Sequence, residues 1–230
     1  MARRLFDLIA ASCAFIVVAP TIVIAVVAIR LSSRGPVFYR AKRVGRNGHE
    51  FTMYKLRTMH VRSQAGSSIT SSDDPRVFAV GRLLRSLKID ELPQLLNILR
   101  GDMSIVGPRP EAPDIVQSHY TAEFRRTLEV RPGLTSPGSV FYYRHGEHLL
   151  QDGSAEQDYV GKLLPLKMQQ DLEWLENRSF GADIRVIGDT VKALIEQFTS
   201  GRRRTSHLAK ATPQTDGEAG AARPDHKEAA

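Results

Sequence analysis

An unbroken apolar run near the N-terminus constrains this chain more than any other feature. From Leu8 to Ile29, 22 consecutive residues carry no charge, and Asp7 and Arg30 bound the run. A helix rises about 1.5 Å per residue, so this run is long enough to cross the hydrocarbon core of a bilayer. A secretory signal peptide has a shorter apolar region, of about 7–15 residues. The run therefore predicts a membrane segment that the mature protein retains.

Two features of this segment bear on its path through the membrane. Pro20 lies near the middle, where proline removes a backbone donor and clashes with the preceding turn. Basic residues flank both ends, with Arg3 and Arg4 on one side, and positive charge favours the cytoplasmic face. A re-entrant helix broken at Pro20 satisfies both observations. A kinked single-pass helix is the alternative, because membrane helices tolerate proline.

Positive charge is concentrated directly after the apolar run. The whole chain has 32 Lys and Arg against 25 Asp and Glu, a net charge of +7. Residues 30–62 alone hold nine basic residues and one acidic residue, a net charge of +8. Such an excess indicates an anionic partner, which could be nucleic acid, phospholipid or a phosphorylated substrate. The single cysteine, Cys13, excludes an intramolecular disulfide and a cysteine-cluster metal site.

The chain divides into three predicted parts. We expect the membrane segment at residues 1–31, one folded domain at residues 32–200 and a disordered basic tail at residues 201–230. The tail is rich in Ala, Gly, Pro and charge and shows no apolar periodicity. Its Arg202-Arg203-Arg204 run suits either contact with lipid headgroups or a solvated basic helix end.

Local patterns predict a helix-rich α+β domain with a small β-hairpin. Asn47-Gly48 is a hairpin signal between a strand near Gly35–Arg40 and a return strand at Phe51–Tyr54. Apolar residues recur with a helical period from Arg76 to Leu87. Further helices are predicted at Asp90–Leu99, ended by Gly101, at Tyr159–Asn177 and at Asp183–Phe198.

Two adjacent carboxylates, Asp90 and Glu91, stand at the start of one of these helices. Asp90 suits the N-cap position and Glu91 suits the positive end of the helix dipole, so one interpretation is purely structural. The other is that both carboxylates converge on one metal ion beside a bound phosphate, because a helix N-terminus also attracts anions. Magnesium would then screen the repulsion between carboxylate and phosphate. The spacing alone leaves both interpretations open.

Arginines lie on both sides of the carboxylate pair. Arg82 and Arg85 are three residues apart and share a face of the preceding helix. Arg109 lies between Pro108 and Pro110, which fix its backbone, and a guanidinium on such a rigid support suits bidentate binding of phosphate. The alternative for Arg109 is a surface charge on a loop stiffened by proline.

Together these motifs resemble a known family, the monotopic bacterial phosphoglycosyl transferases, also called bacterial sugar transferases. The resemblance extends over roughly Arg3 to Phe198. The motifs that carry it are Arg4-Leu5-Phe6-Asp7-Leu8, Gly35-Pro36-Val37-Phe38, Arg43-Val44-Gly45, Tyr54-Lys55-Leu56-Arg57-Thr58-Met59, Asp74-Pro75-Arg76, Asp90-Glu91-Leu92-Pro93-Gln94, Gly107-Pro108-Arg109-Pro110-Glu111 and Arg131-Pro132-Gly133-Leu134-Thr135.

The resemblance implies an enzyme of defined activity. Such enzymes transfer a sugar-1-phosphate from a UDP-sugar to polyprenyl (undecaprenyl) phosphate and release UMP, the first step of exopolysaccharide or glycoconjugate synthesis. They require Mg²⁺ and act at the cytoplasmic face of the bacterial inner membrane, which they enter by a re-entrant helix. The implied partners are the UDP-sugar, polyprenyl phosphate, membrane lipids and polysaccharide assembly proteins, and no nucleic acid.

The resemblance also implies roles for individual residues. Asp90 matches the nucleophile that forms a covalent phosphosugar intermediate, and Glu91 matches its metal-associated neighbour, so both are expected at the metal. Arg85 and Arg109 match arginines that hold substrate phosphates. The weaker site candidates are Arg57, Arg82 and Asp158.

Two other classes of function compete with the enzyme. A membrane-anchored nucleic-acid-binding protein would need aromatic stacking platforms or a helix-turn-helix, and the sequence has neither. A non-catalytic scaffold of the polysaccharide assembly complex has no need of the set Asp90, Glu91, Arg85 and Arg109. Nothing in the sequence identifies the sugar.

Overall fold

The apolar run forms one long helix that lies against the rest of the chain. The computed structural model describes residues 2–61, 74–149 and 155–210. Helix α1 spans Ala2–Ser32 and contains Pro20 in its interior. Helical structure continues through Pro20, so a break at that residue is not confirmed and the re-entrant path stays a prediction. Of the described helices, α1 alone is long and apolar enough to cross a membrane.

The two faces of α1 have different surroundings. Ala11 belongs to one buried cluster with Leu95 and Ile98, and Ile29 belongs to another with Leu56. The opposite face is exposed along the whole helix, through Leu5, Ile9, Ile16, Val17, Val23, Ile24, Val27 and Leu31. A core helix of a soluble protein would be mostly buried, whereas only 11% of the most apolar window of α1 is buried.

Both ends of α1 are tied to the folded domain by buried polar groups. Near the N-terminus, Asp7 accepts hydrogen bonds from Ser104 Oγ at 2.7 Å and from the Ile105 backbone N–H at 3.0 Å. Just after the C-terminus, Arg57 donates to Ser33 Oγ and to the Ser33 carbonyl, both at 2.8 Å. One domain therefore contacts a helix of 31 residues at both of its ends.

Two small sheets frame the domain. Strands β1 (Phe38–Val44) and β2 (Glu50–Leu56) pair antiparallel across a 3-10 turn at Arg46–Gly48, which confirms the predicted hairpin. Asn47 and Gly48 both have positive φ, 58° and 79°, as a tight hairpin turn requires. Strands β3 (Ser104–Val106) and β4 (Gly133–Thr135) form a parallel pair that the sequence did not predict. Three-residue strands are too short to show a period of two.

The remaining helices are mostly short. They are α2 (Ala79–Ser86), α3 (Leu95–Arg100), α4 (Pro113–His119), α5 (Ala122–Arg125), α6 (Pro137–Leu149), α7 (Ala155–Asp158), α8 (Leu164–Glu176) and α9 (Phe180–Lys210). A 3-10 segment, Ile89–Gln94, precedes α3, and a π-helical turn, Tyr159–Leu163, precedes α8. The structure is therefore helix-rich with little strand, as predicted.

Several helix boundaries differ from the prediction. Helix α2 begins at Ala79 rather than at Arg76, because the Asp74 carboxylate accepts from the Arg76 backbone N–H and guanidinium and holds a turn there. The helix predicted from Asp90 is divided into a 3-10 segment and α3, with Pro93 inside the 3-10 part. Helix α9 extends to Lys210, beyond the predicted start of the tail at residue 201. Residues 211–230 lie outside the described residues.

A buried carboxyl group joins α6 to α8. Asp171 on α8 is 0% exposed, and its Oδ1 accepts from the Gly138 backbone N–H at 2.8 Å, at the start of α6. Its Oδ2 is buried without a hydrogen-bond partner among the described residues. Burial raises the pKa of Asp171 to about 6. Folding therefore shifts the Asp171 carboxyl group towards its protonated form, relative to the unfolded chain.

This pKa predicts a pH dependence of stability that Asp171→Asn removes. Between pH of about 4, the ordinary value for Asp, and pH of about 6, Asp171 binds more protons in the folded than in the unfolded state, so its contribution to stability falls as pH rises. The asparagine keeps an acceptor for Gly138 without a buried charge. We expect it to increase the free energy of unfolding at pH 7.5 by up to about 3 kcal/mol, and by little at pH 4.

Thermal unfolding in detergent at a series of pH values checks this prediction. Asp189→Asn, which removes an exposed carboxylate from α9, is the matched control. A stability difference between Asp171→Asn and wild type that does not grow from pH 4 to pH 7.5, or an equal response in both variants, would contradict the assignment.

Candidate functional site

The adjacent carboxylates lie in the 3-10 segment Ile89–Gln94, not at the start of an α-helix. The residue before this segment, Lys88, has left-handed backbone angles, φ 56° and ψ 18°, which few non-glycine residues adopt. The N-cap prediction for Asp90 is therefore wrong, because the N-cap position is Lys88, two residues earlier, and no side chain caps the segment. Both carboxylates are buried: Asp90 is 7% exposed and Glu91 is 9% exposed.

Glu91 is paired with two cations. Arg109 donates from both terminal nitrogens, at 3.1 Å to Oε2 and 2.5 Å to Oε1, and Lys55 Nζ lies 3.3 Å from Oε1. Burial by itself would raise the pKa of Glu91, but Arg109 and Lys55 hold it well below its usual range. Glu91 also raises the pKa of Arg109 well above its ordinary value, although burial opposes this. The structure therefore places Arg109 at the carboxylate pair, in a bidentate ion pair with Glu91.

Asp90 has a different environment from its neighbour. Among the described residues no cation forms an ion pair with it, and burial together with the adjacent Glu91 raises its pKa. Lys55, Lys88 and Arg85 act in the opposite direction, as positive charges too distant for a salt bridge. Asp90 is thus a buried carboxyl group surrounded by cations but bonded to none of them, an arrangement typical of a reactive group.

Two lysines at this site were not among the predicted site residues. Lys55 on β2 belongs to a motif of the sequence, but its contact with Glu91 depends on how the hairpin packs on the 3-10 segment. Lys88 Nζ lies 4.7 Å from the centre of the Tyr143 ring, and burial lowers its pKa. The left-handed backbone of Lys88 has no sequence signal, because non-glycine residues rarely adopt it.

The other predicted site residues do not all lie at the carboxylate pair. Arg85 is half-buried, and its charge lowers the pKa of Asp90. Arg82, on the same helix, is exposed. Arg57 is 1% exposed, and its donors are bonded to Ser33 and to the Pro36 and Met59 carbonyls, so it connects α1 to the hairpin. Asp158 forms an ion pair with Lys162 at 2.7 Å.

Glycines hold the loop that carries Arg109 close to the segment before β4. A Cβ on Gly107 would lie 2.4 Å from the Arg131 carbonyl oxygen, and one on Gly133 would lie 2.2 Å from the Gly107 nitrogen. No residue with a side chain fits at either position without moving the backbone. This contact explains why both motifs contain glycine and fixes the start of the loop.

A buried polar cluster holds the other end of the same loop. Glu111 accepts from Lys167 Nζ at 2.9 Å and from the Tyr159 hydroxyl, and Lys167 also lies 2.6 Å from the Tyr159 oxygen. Lys167 is 3% exposed, so its positive charge lies inside the domain, where the Glu111 carboxylate offsets it. Arg109 therefore lies between two fixed points, Gly107 and Glu111.

Asp90 and Glu91 could hold a divalent cation only together with other ligands. In the described ranges, no group of three or more His, Cys, Asp or Glu side chains is arranged to bind a metal ion. Mg²⁺, however, usually binds through one or two carboxylates plus substrate phosphates. The buried pair fits that mode, because a cation would also relieve the repulsion between the two carboxylates.

The sequence matches one family model, that of the bacterial sugar transferases, over residues 1–197. The chain is 37% identical over 197 residues to the UDP-glucose:undecaprenyl-phosphate glucose-1-phosphate transferase of Caulobacter vibrioides, covering 84% of this chain and 69% of that protein. It is 32% identical over 213 residues to the exopolysaccharide production protein ExoY of Rhizobium meliloti, covering 84% and 85%.

Another relative is named for a different sugar. The UDP-N-acetylgalactosamine-undecaprenyl-phosphate N-acetylgalactosaminephosphotransferase of Aeromonas hydrophila is 33% identical over 204 residues, which cover 85% of this chain and 44% of that protein. Relatives at nearly equal identity thus carry names with different sugars.

The two carboxylates should respond oppositely when each is neutralised. Glu91→Gln leaves the partly buried Arg109 guanidinium without its bidentate partner, so we expect the free energy of unfolding to fall by about 1–3 kcal/mol. Asp90→Asn removes a buried charge that has no ion-pair partner, so stability should stay within about 1 kcal/mol of wild type or increase.

Urea unfolding in detergent with EDTA present measures both variants without a contribution from bound metal. Equal losses for the two substitutions would show that Glu91 is not the carboxylate on which the ion pairs depend.

Proposed function

Since the chain belongs to the bacterial sugar transferase family, we propose that it transfers a sugar-1-phosphate from a UDP-sugar to undecaprenyl phosphate and releases UMP. The names of the relatives support the donor and the acceptor. The observation that carries the proposal is the buried Asp90, which has no ion-pair partner among the described residues and lies beside Glu91 and its cations. A carboxylate in such a place can act on a phosphoryl group whose charge the cations offset.

In the proposed first step, an Asp90 oxygen attacks the phosphorus that bears the sugar. The new bond joins Asp90 to that phosphorus, the bond from phosphorus to the bridging oxygen of the diphosphate breaks, and the electron pair leaves with UMP. In the second step, a phosphate oxygen of the lipid attacks the same phosphorus and releases the Asp90 carboxylate. Two anionic substrates thus react in turn and never have to approach each other.

The surrounding cations have separate tasks in this scheme. Arg109 is held by Glu91 and by its fixed loop, so its guanidinium is positioned before a substrate arrives. Lys55, Lys88 and Arg85 add positive charge near Asp90 and attract the diphosphate. Asp90 and Glu91 are the residues that would hold Mg²⁺, which supplies further positive charge beside the phosphoryl oxygens when bound.

The attachment of α1 supports a location on one face of the membrane. A helix of 31 residues is about 45 Å long, and a straight crossing would place its two ends on opposite faces. The Asp7 and Ser33 contacts instead hold both ends against one polar domain. We propose that both ends lie at the cytoplasmic face of the bacterial inner membrane, that the helix is re-entrant, and that its exposed apolar face contacts lipid.

The test is UMP release by the full chain in nanodiscs, with undecaprenyl phosphate, Mg²⁺ and a panel of UDP-sugars. We expect release with one donor, loss on addition of EDTA, and recovery with excess Mg²⁺. Asp90→Asn should reduce the rate by roughly 10³-fold or more, because it removes the nucleophile. Asp189→Asn, an exposed carboxylate on α9, is the matched control and should match wild type.

Omitting the lipid acceptor separates the two steps. A covalent intermediate predicts a single burst of UMP, at most one per enzyme, together with a mass increase of one sugar phosphate on the peptide that contains Asp90. Sustained UMP release in Asp90→Asn would overturn the assigned nucleophile. No release with any donor, from folded membrane-bound protein, would favour a non-catalytic scaffold.

A further inference from the structure

A second cluster of positive charge lies away from the carboxylate pair, at the N-terminal end of α1. A pocket of about 140 Å³ is lined there by residues that include five arginines and two acidic residues: Arg3, Arg4, Arg46, Arg131, Arg178, Asp7 and Glu129. We call it the arginine pocket. It is formed by parts of the chain that are distant in sequence, so the fold brings these arginines together.

The acidic residues offset only part of the positive charge of these arginines. In the described part of the chain, Arg3 alone among the five forms an ion pair, with Asp183 at 2.9 Å. Both oxygens of Asp7 are already bonded, to Ser104 and Ile105. The other four arginines form no ion pair among the described residues and share one small pocket with Arg3, where their positive charges repel one another.

Several guanidinium groups in the pocket retain donors. Arg46 and Arg131 are each bonded through Nε to a backbone carbonyl, at 3.0 Å and 2.8 Å, and their terminal nitrogens have no hydrogen-bond partner among the described residues. Arg178 Nε is buried without a hydrogen-bond partner among the described residues. Guanidinium groups in such numbers match the oxygens of a phosphate group, which accept bidentate hydrogen bonds.

The size and position of the pocket restrict the ligand. Pockets for drug-sized molecules measure about 300–1,000 Å³, so a whole nucleotide sugar is too large here, whereas a phosphate group fits. Leu5, next to Arg4, is 60% exposed, and Phe180, two residues after Arg178, is 49% exposed. The pocket thus has apolar exposed neighbours at the end of a helix suited to a membrane, where lipid headgroups lie.

We propose that the arginine pocket binds a phosphate group and that its source is the headgroup of an anionic phospholipid. The pocket would fix the N-terminal end of α1 at the headgroup level. This site is separate from the proposed transfer reaction, and its test needs neither a sugar donor nor the lipid acceptor.

The chain carries a built-in probe for this pocket. Trp174 is the single tryptophan, it is buried, and the Arg178 guanidinium lies 5.0 Å from the centre of its ring. Binding of an anion to Arg178 should therefore change Trp174 fluorescence. The full chain in a neutral detergent is titrated with short-chain phosphatidylglycerol, with the matching phosphatidylcholine, and with inorganic phosphate.

We expect a saturable change in emission with phosphatidylglycerol at concentrations where phosphatidylcholine gives none. Arg46→Gln should raise the dissociation constant at least about tenfold, since it removes one charged phosphate contact. Arg46→Lys keeps the positive charge but lacks the planar guanidinium group, so its dissociation constant should rise less than that of Arg46→Gln. Arg185→Gln, an exposed arginine on α9, is the matched control and should bind like wild type.

Other outcomes would overturn parts of the proposal. Saturation by inorganic phosphate as tight as by phosphatidylglycerol would keep the phosphate site and reject the lipid source. Equal responses to the two lipids would reject recognition of anionic charge. Unchanged affinity in both Arg46 variants would reject the pocket as the site.

Discussion

The bidentate ion pair between Glu91 and Arg109 is the contact on which the carboxylate site depends. It joins the 3-10 segment to the loop between β3 and α4, two parts of the chain that form no backbone ladder with each other. Removing either member leaves the other charge without its partner inside the domain. This costs more free energy than replacing the whole pair by apolar residues of similar volume. Because Lys55 adds a third member from the hairpin, one carboxylate holds together three elements around Asp90.

This arrangement gives two adjacent carboxylates different roles, a structural one for Glu91 and, in the proposed reaction, a reactive one for Asp90. Glu91 forms ion pairs with Arg109 and Lys55 and so keeps both cations in place. Asp90 remains buried and forms no ion pair with any cation among the described residues, an arrangement that costs stability. The division follows from geometry, since consecutive residues of a 3-10 segment point in different directions and meet different neighbours.

The sequence predicts some of these features and could not predict others. The hairpin is predictable because Asn47-Gly48 tolerates the positive φ angles of a tight turn. Asp90 was expected at an N-cap because acidic residues favour that position, but the left-handed conformation of Lys88 starts the turn earlier, and tertiary packing decides that conformation. Strands of three residues carry no periodic signal. The role of Arg57 in binding α1 to the hairpin was also beyond sequence reasoning, because it depends on contacts between distant elements.

Helix α1 and the carboxylate site are mechanically connected. Arg4 donates to the Ile98 and Leu99 carbonyls at the end of α3, and Asn97 on the same helix is bonded to the hairpin. The chain from Asp90 therefore leads into α3, and the last residues of α3 are bonded to Arg4 in the first turn of α1. If the arginine pocket binds a headgroup phosphate, the depth of α1 in the membrane also sets the height of Asp90 above the lipid. In the proposed reaction the lipid-linked phosphate has a fixed depth, so the proposed nucleophile Asp90 would benefit from a rigid connection to the same reference plane.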